Sequence, residues 1–121
     1  MLIVVGANVA YADDFAVIRS SVTLNGSSNP GNSYAQTIWN IDYPEGFNKD
    51  NCVVLAFGGK FEGEGFTYGY VENASASVAA VGGSISRTLT LNSDNIQAQA
   101  WNISGTEKVF SYRIVLMKVG F

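Results

Sequence analysis

The feature that most constrains this chain is a two-residue alternation of apolar and polar side chains, cut at short intervals by glycine, asparagine and proline. Residues 17–24 place Ile18, Val22 and Leu24 on one face, with Val17, Arg19, Ser21 and Thr23 on the other. Residues 84–91 set Ile85, Leu89 and Leu91 against Ser86, Thr88 and Thr90, and residues 96–102 set Ile96, Ala98 and Ala100 against Gln97, Gln99 and Trp101. Successive side chains of an extended strand point to opposite faces, so each segment reads as a half-buried strand. Further strands are expected over residues 2–5, 33–41, 52–57, 65–71, 75–80 and 109–119. No window of about eleven residues carries an apolar stripe of helical period free of breakers. About eight or nine short strands at roughly 10–12 residue spacing predict an all-β fold, an antiparallel β-sandwich of jelly-roll-like form, in a single domain over residues 1–121.

The punctuation has its own chemistry. Residues 25–32 are a turn-rich loop. Gly58-Gly59, Gly82-Gly83 and residues 92–95 are expected to close hairpins or corners. Residues 43–51 form a corner: Pro44 fixes its own φ and holds Tyr43 extended, Gly46 permits positive φ, and Phe47 folds back as an apolar plug. Asn48, Asp50 and Asn51 are placed to satisfy backbone donors locally.

Composition removes most catalytic and metal chemistry. The chain has no histidine and one cysteine, Cys52. That excludes Ser-His-Asp and Cys-His nucleophile systems, a His-ligated or multi-cysteine zinc site, and a disulfide within the chain. No metal and no cofactor is expected. Cys52 opens an apolar run and reads as a buried thiol. Apolar residues make up 47% of the chain and charged residues 14%, so the polar surface is mainly Ser, Thr, Asn and Gly. The net charge is −3 and the seven basic residues form no run, which argues against nucleic acid. No apolar stretch is long enough to cross a bilayer. Residues 1–12 imitate a signal peptide but lack a basic start, and they read instead as a first strand followed by an acidic turn at Asp13-Asp14.

Three segments carry a family resemblance. They are residues 37–55, with the corner Tyr43-Pro44-Glu45-Gly46-Phe47 followed by Asn51, then residues 89–101, and the ending Tyr112-Arg113-Ile114-Val115-Leu116-Met117-Lys118. Together the chain resembles the small C-terminal β-domains of tail and baseplate proteins from phages and prophages of Gram-positive gut bacteria. The resemblance covers about residues 15 to 119. It implies a virion or extracellular location, a homotrimer at a fibre tip or particle surface, contact with other virion proteins, and host-surface attachment or decoration rather than catalysis. It transfers no binding site. Such proteins often carry a long fibre or baseplate-anchoring segment, so the chain is expected to be an excised tip domain or a small stand-alone virion protein.

Sugar recognition uses an aromatic shelf beside amides and carboxylates, because the ring covers apolar C–H faces while polar groups fix hydroxyls. The candidate ligand-binding residues are Tyr68, Tyr70, Trp101, Gln97 and Gln99, with Phe66 on the same strand face as the tyrosines and Trp39 beside Asn40. The ligand class is a host cell-surface glycan. The residues also admit a stand-alone carbohydrate-binding module. A glycoside hydrolase would need two carboxylates, and Glu62 and Glu64 would lie about 6.5–7 Å apart on an extended strand. Asp42, Glu45, Asp50 and Asp94 are oxygen donors of the kind calcium takes, without a spaced motif. Asn25, Asn73 and Asn102 head glycosylation sequons.

The last strand alternates at its start and is apolar on both sides at its end. That suits a strand in the middle of a sheet or an interface between copies. Leu2, Val5, Val115, Met117 and Val119 are the expected interface residues, buried around a three-fold axis.

Overall fold

The computed structural model describes residues 3–4, 7–29, 35–61, 67–71, 78–80, 87–102 and 104–119. Among them the chain is all-β, with ten strands and no helix: β1 (Ile3–Val4), β2 (Asn8–Ala12), β3 (Phe15–Leu24), β4 (Ala35–Ile41), β5 (Cys52–Phe61), β6 (Thr67–Val71), β7 (Val78–Ala80), β8 (Arg87–Leu91), β9 (Ile96–Asn102) and β10 (Lys108–Lys118). They form two antiparallel sheets. The larger runs β1-β3-β10-β5-β6-β7, and β2 also pairs with β3; the smaller runs β4-β9-β8.

β10 is central. It pairs with β3 from Lys108 opposite Leu24 to Met117 opposite Phe15, and with β5 on its other side. This is the strand whose sequence becomes apolar on both faces. One β-bulge interrupts the β5 pairing: Ala56 faces Val115 and Val54 faces Leu116, so Leu55 is the extra residue.

The start of the chain departs from expectation. The apolar run makes two strands, both on the edge of β3 that β10 leaves open: β1 opposite Val22 and Thr23, β2 opposite Phe15 to Arg19. The acidic turn is present between Ala12 and Phe15. A two-residue hairpin loop needs positive φ, and Asp13 supplies it at 51°.

Gly58-Gly59 is a second departure. Neither residue turns the chain; both lie inside β5, opposite Arg113 and Tyr112 on one side and Tyr68 and Thr67 on the other. Gly82-Gly83, Leu2, Val5, Phe66, Asn73 and the Glu62–Glu64 pair lie outside the described residues.

One core joins the sheets. Ala16, Ile18, Val22 and Leu24 of β3 and Phe110, Tyr112, Ile114 and Leu116 of β10 meet Trp39 and Ile41 of β4, Leu89 and Leu91 of β8, and Ile96, Ala98 and Ala100 of β9. Fully burying one such Leu, Ile or Phe contributes about 1.5–3 kcal/mol. Trp39 crosses the interface, its ring 5.6 Å from that of Tyr112 and 6.4 Å from that of Phe110. Phe57 meets Phe110 and Tyr112 edge-on, an arrangement the ring quadrupole favours by about 0.5–1.5 kcal/mol per pair. The indole Nε1 of Trp39 is buried without a partner among the described residues.

The 43–51 corner forms as its turn chemistry requires. The Phe47 amide donates to Pro44 O at 2.9 Å, and Gly46 stands at φ 86° between them. Asn48 Oδ1 accepts from the amides of Asp50 and Asn51, and Asn51 Oδ1 accepts from the amide of Asn48. Phe47 is buried as the expected plug. The corner also closes on the end of β10: the Val119 amide donates to Asn51 O, and Lys118 Nζ lies 5.2 Å above the Phe47 ring.

Asn102 is a second brace. It is 2% exposed; its Nδ2 donates to Asn25 O and Thr106 O, and its Oδ1 accepts from the Ser104 amide. With its amide so engaged in the interior, its side chain has no room for a glycan in the folded chain, although it heads a sequon.

Candidate functional site

β4 is an edge strand of the smaller sheet, and β2 lies beyond β3 in the larger. Val9 pairs with Ile18 and Tyr11 with Ala16, so both share the face of those core residues. Among the described residues no strand of the smaller sheet covers them, and Val9 is 38% and Tyr11 53% exposed. The gap between β2 and the end of β4 is an open cleft of about 410 Å³. Its walls carry Val9 and Tyr11 on one side, and Asn40, Asp42, Pro44 and Glu45 on the other, with Tyr112 also lining it.

Each wall is fixed from behind. The Tyr11 ring lies 6.2 Å from that of Phe47, the corner's plug. Tyr43 donates its hydroxyl to Asn92 O at 2.7 Å, tying the corner to the turn between β8 and β9. Burial, with Cys52 and then Asp50 adding to it, pushes the Tyr43 phenol up to about 12, so this donor keeps its proton further into the alkaline range than a free tyrosine. Tyr112 belongs to the aromatic core, which links the cleft to the packing of the two sheets.

The outer face of the smaller sheet continues from the cleft. Gln36 pairs with Trp101, Ile38 with Gln99 and Asn40 with Gln97, while Thr88 and Thr90 pair with Gln99 and Gln97 from the other side. Paired residues share a face, so Gln97, Gln99 and Trp101 stand together on a surface without a charged side chain among these eight residues. Ile38 is 44% exposed there, and Gln36 Nε2 donates to Gln99 Oε1 at 3.0 Å. Asn40 belongs to both surfaces, since it also lines the cleft.

The sequence-expected sugar platform is therefore distributed. Gln97, Gln99 and Trp101 come together on β9. Tyr68 and Tyr70 lie on β6 of the other sheet, and their side chains fall outside the described residues. Because Gln97, Gln99 and Trp101 point away from the core, they also point away from the sheet that holds β6. Trp39 is core and offers no shelf. Sequence reasoning missed Tyr11, Asn40, Asp42 and Glu45 as one site. Asp42 and Glu45 flank the Tyr43-Pro44 corner, the one local signal that they stand on a rigid support.

The outer face of the larger sheet carries an apolar patch at the end of β10, beyond the facing pair Arg113 and Arg19. Val115 lies between Val17 and Ala56, and Met117 between Phe15 and Val53. Val115, Met117 and Val119 are half-buried, while Phe15 is 38% and Leu55 44% exposed. Among the described residues no group of three or more His, Cys, Asp or Glu side chains is placed to hold a metal ion.

No protein-family description, no curated protein and no solved structure matches the chain.

Proposed function

We propose that this chain is a β-sandwich domain of jelly-roll-like form in a phage particle, at a tail-fibre or baseplate tip or on the particle surface, and that it assembles as a trimer and attaches to a host-surface glycan. The observation that carries the reading is the apolar patch on the outer face at the end of β10, where Val115 and Met117 are flanked by Val17, Phe15 and Val53. A face of this kind is stabilised by contact with further copies, and a closed three-fold arrangement leaves no copy unsatisfied. The motif supports the same reading. Two of the segments behind the resemblance, the corner and the last strand, are joined by the Asn51–Val119 hydrogen bond and the Lys118–Phe47 contact, so they form one structural unit.

Light scattering tests the assembly. The expected mass is three times that of the chain, and Val115→Asp with Met117→Asp is expected to give a folded monomer. A monomeric unmodified chain at high concentration would overturn the trimer.

The second reading is a stand-alone carbohydrate-binding module with no viral role. The uncharged face of Gln36, Gln97, Gln99 and Trp101 favours it, because amides and an indole suit neutral hydroxylated ligands. A chain that binds glycan as a monomer supports this second reading over the first.

A further inference from the structure

We infer that the cleft between β2 and the β4–β5 corner is a binding site for an uncharged saccharide. The inference deepens the attachment reading and rests on it for biological purpose, but not for its chemistry. The cleft's volume of about 410 Å³ lies within the roughly 300–1,000 Å³ typical of small-ligand sites.

Three properties of its lining point to a sugar. The first is the shelf. Tyr11 is a large, half-exposed ring on a strand face otherwise turned toward the core, and Phe47 backs it at 6.2 Å. A ring held in place from behind costs little further ordering when a pyranose C–H face covers it. The second is the polar set on the opposite wall. The Asn40 amide both donates and accepts, and the Asp42 and Glu45 carboxylates accept from hydroxyls. The third is the sign of the charge. Asp42 and Glu45 line the cleft and no lysine or arginine among the described residues does, Lys118 standing behind the corner over Phe47, so the lining disfavours sialic or uronic acids, phosphates and teichoic backbones.

The site also has a direction of extension. Asn40 pairs with Gln97 and so leads from the cleft onto the uncharged face of Gln97, Gln99 and Trp101. A chain of two or three sugar units would begin on Tyr11 and pass over the edge of β4 at Asn40 to reach that face, which points away from the core. The cleft thereby supplies the aromatic shelf next to the amides that sequence reasoning placed on β9.

The test is nuclear magnetic resonance titration of the whole chain with maltotriose, galactobiose and chitotriose as neutral probes, sialyllactose as the acid and spermidine as the amine. At least one neutral sugar is expected to shift the Asn40 side-chain amide and the Tyr11 ring, with smaller shifts at Gln97. Tyr11→Ala is expected to weaken that sugar roughly ten-fold or more, the loss of about 1.4 kcal/mol. Asn40→Ala and Asp42→Asn are expected to weaken it as well. The urea midpoint of Tyr11→Ala is expected to stay near that of the unmodified chain, since Tyr11 is largely solvent-exposed. Preference for sialyllactose or spermidine overturns the assignment. So does the absence of any shift with all three neutral sugars, or binding that Tyr11→Ala leaves unchanged. Binding of the labelled chain to isolated Gram-positive cell walls separates the two readings. Cell-wall binding that survives Tyr11→Ala keeps attachment and sinks the cleft. Sugar binding that depends on Tyr11, without cell-wall binding, keeps the cleft and sinks attachment.

Discussion

A β-carbon added to Gly59 would lie 2.4 Å from Cζ of Phe110 and 2.7 Å from the carbonyl oxygen of Ser111. The glycine thus lets the Phe110 ring lie against the β5 backbone, in the aromatic group that joins the sheets. Gly59→Ala is expected to destabilise the fold by at least about 1–3 kcal/mol, because overpacking forces ring and backbone apart. Shrinking the ring in Gly59→Ala with Phe110→Leu restores only part of this, as the Ser111 oxygen stays in place. Urea unfolding reads both variants, and an unchanged midpoint for Gly59→Ala would falsify the packing described.

Asn102 ties two loops together from inside. Asn102→Ala removes two donated bonds and one accepted bond, leaving Asn25 O, Thr106 O and the Ser104 amide unpaired in a part-buried setting. The expected loss is about 2–4 kcal/mol. Hydrogen exchange at the Ser104 amide is expected to accelerate with it. A variant with native stability and a protected Ser104 amide would show that the loops hold by other means.

These residues also mark where sequence reasoning succeeds. The corner was legible because Pro44, Gly46 and Phe47 act through their own φ angles and near neighbours, and the structure returns φ 86° at Gly46 and a buried Phe47. Residues 96–102 were legible because period-two alternation maps directly onto two faces: Ile96, Ala98 and Ala100 are buried, and the residues between them are not. Gly59 was misread because its role depends on Phe110, far away in sequence. A glycine at a turn and one under an aromatic ring look alike in the chain.

The cleft was illegible for a related reason. Tyr11 and Asn40 to Glu45 meet only because β2 pairs outside β3 while β4 ends the smaller sheet. Neither segment carries a spaced motif, and β2, read only as part of one apolar first strand over residues 1–12, lacks the alternation that would have assigned Tyr11 a face. Its five residues are all exposed, so no buried face imposed a pattern on them.

Cys52 is expected to be inert in the folded chain. The thiol is buried and donates to Asn48 O at 3.1 Å, and burial pushes its pKa up, which lowers the thiolate fraction that reacts. A thiol reagent at neutral pH is expected to label it only as fast as the corner opens. Labelling should therefore speed up in parallel with unfolding as urea is added. Fast labelling without denaturant would contradict the burial of Cys52 and the closed form of the corner.

Tyr43 gives the fold an alkaline limit. Its phenol is pushed up to about 12, first by burial and then by Cys52 and Asp50, and its hydroxyl donates to Asn92 O. An unfolded tyrosine ionises near pH 10. Below that pH both states keep the proton, and the stabilising contribution is complete. Between about 10 and 12 the folded state retains a proton that the unfolded state has released, so stability falls as pH rises. Above about 12 the contribution is gone. Tyr43→Phe removes the titrating group. It is expected to cost about 0.5–1.5 kcal/mol at neutral pH through the lost hydrogen bond, and to lose less stability than the unmodified chain over the alkaline range. Urea midpoints measured for both proteins across that range give the comparison, and parallel curves would show that Tyr43 titrates alike in the folded and unfolded chain.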